Sequence, residues 1–163
     1  LAMLPAQIAG RAAGSLLAPR LRGLAPAALS AAARQAVVAY LGLGAGFAIL
    51  FALIAPQAIA LVYGAAFRPD AALVLLFGLA AGARILRTPL SQLAVAMGRT
   101  GDPARANLWR AAALGPALAA ACLGLPLLTI AAAAALGEAL ATARALYLAR
   151  PVLTPTISDR AFA

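Results

Sequence analysis

Long apolar blocks alternate with short polar breaks along this chain, and the block lengths suit a bilayer better than a soluble core. From Arg34 to Arg68 there are 33 consecutive positions without a charge, whereas a spanning helix needs only about 20 apolar residues. The pattern predicts a crossing at 35–63, closed by the aromatic-glycine turn "YGAAFRPD". A second crossing is expected at 71–98, begun by "RPD" and ended by "GRTGDP". In "GDP", Asp102 is placed to cap the next helix and Pro103 to occupy its first position. The remaining apolar stretch is too long for one passage. "GLPLLT" offers a break, which gives helices near 104–124 and 127–149. Residues 1–18 look like the end of a further helix, stopped by "APRLRGLAP", and 151–163 like an irregular cytoplasmic tail. The expected fold is an all-α polytopic membrane bundle with about four full transmembrane helices and one partial N-terminal helix. Residues 1–150 form one helical lobe.

Composition sharpens this picture. Of all residues 65% are hydrophobic and 10% charged, outside the usual balance of a soluble domain. The thirteen basic residues are all arginine and face four acids, for a net charge of +9. They lie between apolar blocks with few aromatics and no basic stripe, so the footprint of nucleic-acid binding is missing. Arginine-rich and arginine-poor connections alternate instead, as the positive-inside rule requires if 11–34, 99–110 and the tail are cytoplasmic. One cysteine, Cys122, and no histidine leave no internal disulfide and no multi-cysteine metal site. No cofactor is implied, and little remains from which to build an enzyme's acid/base pair. The opening at Leu1, without a basic n-region or a cleavage site, reads as a piece of a larger protein. Gly42 with Gly46 and Gly78 with Gly82 have the G-x-x-x-G spacing that lets backbones approach inside lipid, and general close packing is the expected use.

Arg84 and Arg87 stand out. Each cation at mid-depth costs roughly 2.5–3.5 kcal/mol on insertion scales, and the centre of a 71–98 helix falls at Arg84. At 100° per residue Arg84, Arg87, Thr88, Ser91 and Gln92 share an arc of about 140°, with Ile85, Leu86, Leu90 and Leu93 outside it. Pro89 frees a carbonyl in the same turn. Two readings stay open. The stripe faces a hydrated cavity whose guanidinium forks hold an anion, or the arginines snorkel or pair with a buried acid. Glu138, in the middle of the last helix, is either that partner or a proton or sodium site.

Several segments resemble bacterial polysaccharide flippases of the multidrug/oligosaccharidyl-lipid/polysaccharide exporter superfamily. "LAPRLRGLAPAALSAAARQAV" is similar to the basic loop after that family's eighth helix, "IALVYGAAFRPDAALVLLFGLA" to its aromatic-glycine turn and the following helix, and "LAVAMGRTGDPARANL" to a later helix end and start. The resemblance implies the C-terminal part of an inner-membrane transporter, packed against its own N-terminal lobe and membrane lipids. Such a transporter moves a lipid-diphosphate-linked oligosaccharide by alternating access. On the depth and stripe reading Arg84, Arg87, Ser91 and Gln92 line the substrate cavity. A lipid II flippase, a cation-coupled multidrug exporter and a non-transporting scaffold for polysaccharide synthesis are the alternatives.

Overall fold

The computed structural model describes residues 4–154, and all regular structure among them is helical. Six α-helices follow one another: α1 (Leu4–Leu21), α2 (Pro26–Tyr63), α3 (Ala71–Ala96), α4 (Gly101–Ala112), α5 (Leu114–Cys122) and α6 (Leu127–Leu153), with a 3-10 turn at Ala65–Phe67. Three of them, α2, α3 and α6, are long and apolar enough to cross a membrane.

The boundaries differ from the sequence expectation where alanine and proline act. The segment 11–34 is no open loop. Apart from the Arg22–Ala25 turn, where Gly23 has φ +78°, it is helical. Pro26 starts α2 from a first-turn position, and "AALSAAAR" continues it on high intrinsic propensity. At 1.5 Å per residue the 38 residues of α2 measure about 57 Å, nearly twice the hydrocarbon thickness. A bilayer crossed by this helix would therefore leave its Arg34-bearing end beyond the apolar core.

The single helix expected at 104–124 is two helices. Pro116 has no amide to give to the carbonyl of Ala112, and its ring crowds that carbonyl, so the chain breaks at Ala113 between α4 and α5. Asp102 does not cap α4. It lies inside the first turn, with its carboxylate 2.7 Å from Arg99 and 3.6 Å from Arg105. The side-chain cap occurs at α3, where the Ala72 amide donates to Asp70 Oδ1 at 2.6 Å. At the other end α6 runs through Pro151 to Leu153 rather than stopping at 149. Residues 155–163 of the expected tail, and 1–3 of the expected first helix, lie outside the described residues.

At the centre α3 touches α1, α2, α4 and α6, while α6 packs on α2, α3, α4 and α5. The α2–α3 contact is backbone to backbone. A Cβ on Gly44 would lie 2.6 Å from the Gly82 carbonyl oxygen, and one on Gly78 would lie 3.1 Å from that of Ala48. Thus Gly78 and Gly82 do mark a close approach, but their partners are Gly44 and Ala48. Gly42 and Gly46 face open space. At the arginine-rich end of the bundle Leu21, Ala33, Leu90, Leu93, Ala106, Ala145 and Ala149 form a buried core that ties α1, α2, α3, α4 and α6 together.

Candidate functional site: three arginines on one glutamate

Glu138 lies within a turn of the middle of α6, and its side chain is 7% exposed. A carboxylate so buried must find cations, and two helices supply them. From α3, Arg87 Nη2 lies 3.2 Å from Oε2 and Arg84 Nη1 lies 3.9 Å from Oε1. From α4, Arg110 Nη1 donates to Oε1 at 3.4 Å. The side chain of Arg87 is 9% exposed, whereas those of Arg84 and Arg110 are 30% and 42% exposed. One cation is therefore enclosed and two reach open space.

Local geometry explains why these residues converge. Arg84 and Arg87 are three apart on one face of α3. Gly137 lets α4 come close enough to deliver Arg110, since a Cβ there would lie 2.6 Å from Ala113 Cβ and 3.2 Å from the Arg110 carbonyl oxygen. Thr142, one turn beyond Glu138, fixes the pairing of α6 with α3. Its hydroxyl lies 2.8 Å from the Glu138 carbonyl and 3.1 Å from that of Ala83, and shares one proton between them.

Formal charges do not balance here. Three guanidinium groups meet one carboxylate, which leaves a surplus of two positive charges. Arg87 Nη1 is buried without a hydrogen-bond partner. Between α3, α4, α5 and α6 a cleft of about 250 Å³ reaches the cluster, with Arg110 and Glu138 among otherwise apolar walls that include Phe77, Leu114 and Ala134.

The four expected ligand residues do not act as one stripe. Arg84 and Arg87 both turn to Glu138. Ser91 donates instead to the Arg87 carbonyl at 3.2 Å, as Thr88 does to that of Arg84 at 3.3 Å, both within α3. Gln92 is half-buried and makes no hydrogen bond among the described residues. Arg110 was not singled out from sequence as a site residue, because it closes a segment counted as connection. Counting α4 and α5 as one passage from Gly101 would have placed it at mid-depth.

No family model, curated protein or solved structure matches this chain. The chemistry of the site therefore rests on the side chains themselves. The cluster can hold the helices by ion pairing, and its surplus charge can attract an oxyanion.

Proposed function

We propose that this chain is a helical lobe of a membrane transporter that carries a lipid-diphosphate-linked oligosaccharide across the bacterial inner membrane by alternating access. The observation that supports this reading is the charge surplus at the centre of the bundle, three arginines against one glutamate, with Arg84 and Arg110 partly open. A purely structural ion pair needs one cation. Each further arginine at this depth adds insertion cost, which an anionic cargo offsets. In this reading α4 and α5 together make a fourth crossing, α1 is a partial one, and the arginine-rich end is cytoplasmic. A lipid II flippase would use the same diphosphate chemistry. A cation-coupled multidrug exporter fits less well, because the single acid is outnumbered.

One observation favours a second reading, a non-transporting scaffold. Arg87 and Glu138 are both enclosed and suit a staple between α3 and α6. Complementation of surface-polysaccharide export with Arg84→Ala and Arg110→Ala separates the two. Lost export with the protein still in the membrane supports transport, whereas normal export overturns it.

A further inference from the structure

The three contacts to Glu138 share an anomaly. A relaxed charge-assisted N–H···O bond measures about 2.7–2.9 Å, and Arg99 reaches Asp102 at 2.7 Å in this same molecule. None of the Glu138 contacts comes so close, at 3.2, 3.4 and 3.9 Å. One carboxylate does not align with three planar forks arriving from two helices: Arg110 alone hydrogen-bonds to it, and Arg87 Nη1 and Glu138 Oε2 are buried without a hydrogen-bond partner. The two longer contacts belong to the two more exposed arginines, and one of these, Arg110, lines the cleft.

We propose that Glu138 is a resident surrogate for the anionic ligand, and that phosphoryl oxygens displace it from Arg84 and Arg110 while Arg87 keeps it. This rests on the reading of the site as one for a diphosphate headgroup. The ligand class is a diphosphate, whose two phosphoryl groups together present at least four non-bridging oxygens where the carboxylate presents two, and so suits several guanidinium forks at once. Binding is then an exchange of partners, with no bare cation or bare carboxylate left at mid-depth. Glu138 remains on Arg87, its nearest partner, and the Thr142 bond holds α6 to α3. What opens is the link from α6 to α4, because Arg110 is the residue that leaves. Glu138 is thus a positioning residue. It keeps three like charges together in the empty site, and it competes with the ligand.

The test measures diphosphate binding to the full-length protein in lipid nanodiscs, using inorganic diphosphate and farnesyl diphosphate as probes. Both Glu138→Gln, which removes the competing charge, and Glu138→Asp, which keeps the charge and withdraws it by one methylene, should bind tighter than the parent. The gain should be about tenfold for Glu138→Gln, the scale of one charge-assisted bond no longer broken on binding, and smaller for Glu138→Asp. Adding Arg110→Ala should abolish the gain. Tightening toward both probes assigns the effect to the phosphoryl group alone, and tightening toward farnesyl diphosphate alone adds the cleft as a seat for the chain; either supports displacement. If the parent binds a diphosphate but neither variant tightens, displacement is overturned and the anion site stands. If neither probe binds to parent or variants, the anion site falls as well.

Discussion

Gly44 and Gly82 meet backbone to backbone, so closely that a Cβ on either would come within 2.6 or 2.7 Å of the other's carbonyl oxygen. This contact joins α2 to the central helix without any side chain. Small residues allow close helix approach in lipid, where apolar burial gives no drive.

Gly82→Ala and Gly44→Ala should each destabilise the protein by about 1–3 kcal/mol, the usual range for overpacking. Gly42→Ala and Gly46→Ala, at positions that face open space, should be neutral or stabilising by up to about 1 kcal/mol through helix propensity. Thermal unfolding in detergent, followed by the fluorescence of Trp109, checks both pairs. Equal effects at all four positions would contradict the assigned contact face.

Arg87 and Arg84 should separate stability from transport. Removing one partner of an enclosed ion pair costs about 3–5 kcal/mol, so Arg87→Leu should unfold well below the parent protein. Arg84 is 30% exposed and 3.9 Å from its partner, and Arg84→Leu should change stability by less than about 1 kcal/mol. Under the proposed function that stable variant still fails in export, which a complementation assay reads directly.

Pro116→Ala should restore an amide donor to the carbonyl of Ala112 and fuse α4 with α5. Hydrogen exchange of the amides around 113–117 should slow by at least about tenfold, the equivalent of roughly one hydrogen bond gained. Unchanged exchange would place the cause of the break elsewhere.

The orientation is open to a labelling experiment. Of the described arginines outside the central cluster, Arg20, Arg22, Arg34, Arg99, Arg105 and Arg150 gather at one end of the bundle, while the α2–α3 turn sets Arg68 against Asp70. On a Cys122→Ala background a membrane-impermeant maleimide added to intact spheroplasts should label Ala66→Cys and spare Thr100→Cys. The reverse pattern would invert the proposed topology.

The apolar blocks made α2, α3 and α6 legible, because a long uncharged run has few alternatives to a spanning helix. Glu138 was visible as a carboxylate that needed a cation, and Arg84 and Arg87 as cations that needed an explanation. Which cations it met depended on the interhelical approach at Gly137, and no one-dimensional pattern carries that. The glycine motifs show the same limit. Both spacings were sound, but helix rotation alone decides that Gly44 turns inward and that Gly42 and Gly46 do not. Pro116 lies in so alanine-rich a stretch that high helix propensity on both sides hides the break from the one-dimensional pattern. Ser91 and Gln92 shared the arc of the arginines. Yet Ser91 satisfies its hydroxyl on its own helix, as short hydroxyl side chains do when a carbonyl lies one turn back.

The length of α2 has a mechanical consequence. A helix of about 57 Å in a hydrocarbon layer of about 30 Å leaves about 27 Å outside it, much of this at the α1–α2 corner. The overhang continues the same helix and packs through Ala33 into the core that it shares with α1, α3, α4 and α6. The segment 26–34 measures about 14 Å, and tilting the helix by 10° about its point of emergence would swing that arm, with the core it carries, sideways by about 2.4 Å, well within the tilt range of spanning helices. The corner that carries Arg20 and Arg22 is the far arm of a lever whose near arm grips α3 at Gly82.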